Sequence, residues 1–355
     1  MFALSLLILG LAAVGLANPH KRFHGITVEL SGPKSINTID DLKLTASVTN
    51  AGSEAVKLLK YATILDDKLP TKSFTITKDG SEVAFQGVKI AISLEDLDDS
   101  AFTTLGAGES LTVSHEIAAL FDFESAGEGT FNIEPSVTFQ AVSAEERLAA
   151  VTFHQITAIG SKVDVEIFGD LARRQMKQRK RAVDTCTDFS KKSFIDAGYT
   201  EAKLLARVAS SYVSTHGADS LYQQYFKTTP TSTVISVYNA VANENSSSRT
   251  LNCNDPFGAC TSGVIAYTVI STTNIYFCSI FFTELPLSSL CTGTPVSSRN
   301  IRGETILHEL THAVAGTEDI VYGCSNDIAL SASNSVRNAD NYSCFAAQVY
   351  QNTEC

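Results

Sequence analysis

At 355 residues the chain has room for about two domains of ordinary size. Its content, 44% hydrophobic and 18% charged with a mean hydropathy of +0.06, excludes a globally disordered chain. A net charge of −11 and a pI near 5.1 argue against a nucleic-acid partner, because phosphate contacts need Lys and Arg, and favour cationic partners instead.

Residues 1–17 are apolar apart from Ser5. The run is shorter than the roughly 20 residues that a bilayer span needs. Gly15 and Ala17 sit at the −3 and −1 positions of a cleavage before Asn18, so 1–17 reads as a secretory signal peptide, although no Lys or Arg precedes the apolar run. No later segment is long and apolar enough to span a membrane, and the expected product is secreted, extracellular and soluble.

Residues 24–168 alternate with period two at 26–30, 42–49, 110–114 and 129–134. Turn signals stand at Asn50-Ala-Gly52 and Asp79-Gly80. Short alternating runs between frequent turns predict an antiparallel, sandwich-like β-domain with no residue set that suggests chemistry.

The composition then changes. Arg173, Arg174, Lys177, Arg179, Lys180 and Arg181 crowd into 171–181. A solvated helix face or a surface-binding patch is one reading of such a run. Its position between two parts of a secreted chain favours a dibasic processing site at Lys180-Arg181, with the cut before Ala182. Lys21-Arg22 is a second dibasic pair.

Beyond 181, helical spacing is expected over 194–215, with Ala202, Leu205, Ala206 and Ala209 on one face, and in a short segment at 221–226. Strands are expected at 264–270 and 275–282, joined as a hairpin by Ser271-Thr-Thr-Asn274. Helices should follow at 304–315 and from 328 past 339. All eight cysteines lie at or after Cys186, which points to disulfides made in an oxidising compartment. Asn245-Ser-Ser247 and Asn341-Tyr-Ser343 match the N-glycosylation pattern.

The chemistry is carried by His308-Glu309-Leu310-Thr311-His312. Residues four apart share a helix face, so both imidazoles reach one zinc ion at about 2.0–2.1 Å. Glu309, one position along, is displaced from that pair and placed to take a proton from the attacking water. The bland alternative is two surface histidines. It fits poorly beside the apolar Ile306, Leu307 and Leu310, and after Arg181 the only histidines are His216, His308 and His312. A catalytic zinc site takes three protein ligands. No histidine follows His312, and the nearby carboxylates are Glu318 and Asp319 in Gly316-Thr-Glu-Asp-Ile-Val-Tyr-Gly323.

That stretch, together with the motif, resembles the signature of the aspzincins, and within them the fungal deuterolysins (neutral protease 2). Cys253-Asn-Asp-Pro-Phe-Gly-Ala-Cys260, Thr283-Glu-Leu-Pro286 and Asn338-Ala-Asp-Asn-Tyr342 are similar as well. The resemblance covers essentially 184–355. It implies Asp319 as third zinc ligand and Tyr322 as donor to the oxyanion, both chemically sound roles. It places Asp340 toward the substrate side, where a carboxylate would favour basic peptides; a capping or structural aspartate is the other reading. It implies the disulfides Cys186–Cys253, Cys260–Cys278 and Cys291–Cys355, leaving Cys324–Cys344 as an extra pair. The link Ala313-Val-Ala315 is shorter than the family's loop, and Gly316 is suited to turn the chain back to the metal.

The expectation is therefore an α+β preproenzyme: a signal peptide at 1–17, a β-rich sandwich-like propeptide at 18–181, and a mainly helical zincin-type zinc metalloendopeptidase with a small antiparallel sheet at 182–355. Its partners would be protein and peptide substrates, basic ones such as histones and protamines among them, a Kex2-like processing protease, and its own propeptide as intramolecular inhibitor or chaperone. A monomer is expected, with no nucleic acid and no membrane. The rivals are a metzincin-like protease using another carboxylate, a secreted inactive protease-like binding protein, and a metal-sequestering or adhesion protein.

Overall fold

Alternation in the N-terminal part becomes strands with one face in and one face out. Ile26–Ser31 buries Ile26, Val28 and Leu30 and exposes the residues between them. The structure is a computed structural model and describes residues 25–143, 153–176 and 186–355. The signal peptide at 1–17 and the basic site at Lys180-Arg181 lie outside the described residues.

Ile26–Ser31, Lys43–Asn50 and Ser110–Glu116 pair antiparallel in one sheet. Val163–Asp170, Gly129–Pro135 and Phe74–Lys78 do so in a second, and Thr138–Ser143, Val56–Leu59 and Phe102–Leu105 in a third. Two parallel pairings depart from the all-antiparallel expectation: Ile26–Ser31 with Ile159–Gly160, and Val163–Asp170 with Ser35–Thr38. Leu44, Val48, Ile76, Phe131, Phe139 and Val165 form the shared core.

The C-terminal part is mainly helical, so the whole is α+β. Its long helix, Phe189–His216, starts ahead of the expected span because Asp188 caps it, accepting hydrogen bonds from the Ser190 and Lys191 amides. The face carrying Ala202, Leu205, Ala206 and Ala209 is buried, and Ser220–Phe226 is helical. Thr231–Ala242, which burial of Val234, Tyr238 and Val241 holds in place, is a helix that the sequence reading does not contain. Val264–Val269 and Asn274–Phe277 pair as a hairpin, but the second strand ends at Phe277 and gives way to a 3-10 turn at Ile280–Thr283, just past the Cys260–Cys278 bridge.

The motif helix, Arg302–Ala315, is packed on every side through its first three turns; Gly303 to His312 are all buried. It lies so close to the long helix that a Cβ on Gly303 would come within 2.8 Å of Glu201 Cβ. The C-terminal helix Ala339–Thr353 covers another side, with Ala339 to Ala347 buried. The bridges are Cys186–Cys253, Cys260–Cys278 and Cys291–Cys355, the pairs that the resemblance implies, and Cys324–Cys344, the pair it leaves over.

The two parts share a sheet. Val88–Ile92, from the N-terminal part, pairs antiparallel with Val264–Val269, with Tyr267 opposite Ile90 and Thr268 opposite Lys89. The Tyr61 hydroxyl also donates to the Ser262 carbonyl at 2.8 Å.

Glu284 anchors the first turn of the motif helix by accepting from the Thr305 hydroxyl at 2.7 Å. Burial raises its carboxyl from 4.5 to about 8, against the Thr305 bond and the Arg299 charge. The folded state therefore holds a proton that the unfolded chain releases above its own lower value. The stability from this group is full below the unfolded value and is lost as pH rises through about 8, at up to roughly 1.4 kcal/mol per pH unit. Glu284→Gln is expected to raise the thermal midpoint at about pH 9 and leave it nearly unchanged at about pH 4, as read by scanning calorimetry.

Candidate active site

Helix geometry sets His308 above His312 on the motif helix, ring centroids 4.7 Å apart. Each ring is held by its Nδ1–H. His308 donates to Asp340 Oδ1 at 2.7 Å, and His312 to the Thr317 carbonyl at 2.8 Å. Both Nε2 lone pairs are thereby aimed at one point, 3.0 Å apart.

The short link to the third group closes without difficulty. The helix ends at Ala315, and Gly316 turns left-handed with φ 68°, its amide bonding back to the His312 carbonyl. Thr317 then meets His312, and Asp319 Oδ1 comes within 3.2 Å of His308 Nε2 and 3.1 Å of His312 Nε2. Glu318 faces the other way, 2.6 Å from Lys72 and paired with Arg337.

Two nitrogens and one carboxylate oxygen thus converge, all acceptors when each ring carries a single proton on Nδ1, and the protein then gives Asp319 Oδ1 no donor. Their separations approach the edge of a tetrahedron with metal–ligand bonds of about 2.1 Å, which is roughly 3.4 Å. The electrostatics agree. Burial opposes charge on His308, yet Asp319 and Asp340 outweigh it and push that imidazole up to about 10. Burial keeps His312 below its ordinary value. Burial alone would raise Asp319, but the two imidazoles hold it far below the usual carboxylate range. The two neighbouring carboxylates favour positive charge at His308, and the donor set fits zinc.

Glu309 is fully buried beside this point. Its Oε2 accepts from the Thr268 hydroxyl at 2.5 Å and its Oε1 from the Ala91 amide at 3.0 Å. Burial raises its carboxyl to about 8, with His308 opposing. Tyr322 is buried with its hydroxyl unpartnered. Burial, then the charges of Asp319, Asp340 and Glu309, keep that phenol protonated well beyond neutral pH.

Asp340 is not where the resemblance puts it. It stands behind His308, 2% exposed, with Oδ1 bonded to His308 and Arg299 and Oδ2 to the Gly323 amide. No face of it is free for a substrate. Asn341 departs from its pattern match as well: it is fully buried, its amide donating to the Tyr225 and Asp327 carbonyls, whereas Asn245 is exposed.

The model of the deuterolysin metalloprotease (M35) family matches residues 1–354. The chain belongs to that family. A neutral protease 2 homolog of Phaeosphaeria nodorum is 32% identical over 330 residues, covering 89% of this chain and 90% of its own. One of Aspergillus oryzae is 31% identical, covering 93% and 95%. Membership makes the chain a metallopeptidase acting on peptides or proteins, and the His308, His312 and Asp319 cluster is the group suited to its metal.

Within this deuterolysin-family site, several contacts come from far along the chain. Ile90 N–H donates to Asp319 Oδ2 at 2.9 Å, next to the Ala91 bond to Glu309. The buried Lys89 ammonium caps the Gly316 and Thr317 carbonyls. Gln140 clasps the Tyr322 backbone, accepting from its amide at 2.8 Å and donating to its carbonyl at 3.0 Å. None of these contacts is legible in the sequence, nor is a site role for Thr268, Arg299 or Glu304. Each of the contacts just described runs through a main-chain group on one side, and such groups leave no residue-type signal.

Proposed function

We propose that this chain is the precursor of a secreted zinc endopeptidase of the aspzincin type. The convergence of His308 Nε2, His312 Nε2 and Asp319 Oδ1 beside Glu309 carries the reading. Those three atoms would hold zinc, which when bound supplies a Lewis acid for the scissile carbonyl and the attacking water. Glu309 takes the proton of that water and passes it to the departing amine. Tyr322 donates to the carbonyl oxygen as charge builds there. Asp340 and Thr317 fix the imidazole tautomers from behind.

Residues 18–181 act as propeptide, removed by a Kex2-like protease at Lys180-Arg181 after the signal peptide has gone. Until then Ala91 and Ile90 occupy Glu309 and Asp319 with their amide hydrogens. The mature monomer digests extracellular proteins, basic ones such as histones and protamines among them, toward which the acidic balance of residues 182–355, fifteen Asp and Glu against nine Lys and Arg, is attractive. No helix among the described residues is long and apolar enough to cross a membrane. Asn245 is the exposed acceptor for a glycan.

The ligand set is tested by comparing Asp319→Ala with Glu318→Ala in the purified secreted protein. Asp319→Ala is expected to weaken zinc affinity on the order of 100-fold or more, and Glu318→Ala to leave it within about threefold. Equal retention by both, measured by chelator competition, would remove Asp319 from the site. A secreted inactive binding protein, the alternative, would show no zinc-dependent peptide hydrolysis in the unsubstituted mature form.

A further inference from the structure

Arg299 lies outside every motif above, yet it is 6% exposed and holds two carboxylates. One terminal nitrogen, Nη2, donates to Asp340 Oδ1 at 2.7 Å and the other, Nη1, to Glu304 Oε2 at 3.0 Å. Asp340 Oδ1 is the same oxygen that receives His308 Nδ1. Glu304 sits four residues before His308 on the motif helix, so it occupies the same face one turn earlier. The backbone of Arg299 is left-handed, φ 52° and ψ 34°, at the end of a 3-10 turn. A side chain with a Cβ adopts that conformation only at a cost, and here it sends a charged side chain inward.

We infer that Arg299, clamped by Glu304, is a positioning residue for the metal site, acting through Asp340 on His308. This rests on His308, His312 and Asp319 being the metal ligands. A carboxylate held by one imidazole can swivel, and the ring swivels with it. Asp340 instead receives donors from Arg299, His308 and the Gly323 amide, the residue next to Tyr322. The planar guanidinium ties that carboxylate back to the helix that bears both histidines. His308 Nε2 is thereby aimed from a frame built on the motif helix and the C-terminal helix together.

A buried ion pair could equally serve stability alone, so the test separates the two roles. Arg299→Met combined with Glu304→Met replaces the pair with apolar side chains of similar length, a change that buried pairs often tolerate. Arg299→Lys keeps the charge but loses the two-pronged grip. Both are made in the full-length chain, and the secreted product is measured with zinc as the probe. The double variant is expected to hold its thermal midpoint while its zinc dissociation constant rises about 10–100-fold. At saturating zinc, KM should stay near the unsubstituted value and kcat should fall. Arg299→Lys should lie between. A folded variant of either kind with unchanged zinc affinity and kcat overturns the inference. If the double variant does not fold, Arg299→Lys decides alone by the same measurement. Failure of the unsubstituted protein to bind zinc would instead overturn the ligand assignment beneath it.

Discussion

Glu309→Gln is expected to retain zinc and to lose about 10²–10⁴-fold in kcat/KM, the span that a positioned general base contributes. The substitution is nearly isosteric, so the buried helix face keeps its packing. Thr268 can turn its hydroxyl from donor to acceptor and satisfy the new amide. His308, His312 and Asp319 are untouched, and so are the Asp340 and Thr317 bonds that aim the rings. What disappears is proton acceptance by the carboxylate that stands beside the ligand cluster. Metal content per chain and peptide hydrolysis, read on the same sample, check the claim. A Glu309→Gln enzyme within about tenfold of the unsubstituted one would leave the mechanism without its base. Loss of zinc together with activity would show the residue holding the site together instead.

What the sequence discloses of this site follows from the range of the contacts. His308 and His312 are legible because helix geometry converts a spacing of four into one face, with no knowledge of the rest of the fold. Gly316 is legible for a similar reason, since a left-handed helix end favours glycine. Between Glu318 and Asp319 local spacing does not choose; the choice is made by Lys72 and Arg337, which draw Glu318 outward. Asp340 shows the opposite failure. Its segment is recognisable, but its direction depends on Arg299 and on the packing of two helices. Asn341 matches a glycan pattern that takes no account of burial. In the N-terminal part the alternating strands are plain, whereas the parallel pairings are not, because registry between distant strands carries no local mark. The least legible feature is the strand Val88–Ile92, whose partners Glu309 and Asp319 are 218 and 229 residues away.

That strand leads to the second large effect. A precursor carrying Lys180→Ser and Arg181→Ser is expected to be secreted uncut and to hydrolyse peptides at least about 10²-fold more slowly than the mature enzyme. Two amide bonds to carboxylates, each worth about 1.5–3 kcal/mol, hold the strand at the centre of the site. Their sum of roughly 3–6 kcal/mol leaves about one molecule in 10²–10⁴ open, before the pairing with Val264–Val269 is considered. The strand presents donors to Glu309 and Asp319, where a substrate must present a carbonyl to be attacked; as the proposed propeptide it would block the site without entering the reaction. Adding Ala91→Pro to the uncut precursor removes the N–H given to Glu309 and disturbs the ladder. Activity should then rise at least about tenfold with no cleavage of the chain, as checked by peptide turnover alongside mass spectrometry of the intact product. An uncut precursor as active as the mature enzyme would show that the strand does not occlude the site in solution. An inactive Ala91→Pro precursor that still binds zinc would move the block elsewhere, with the Gln140 clasp on Tyr322 as the next contact to cut.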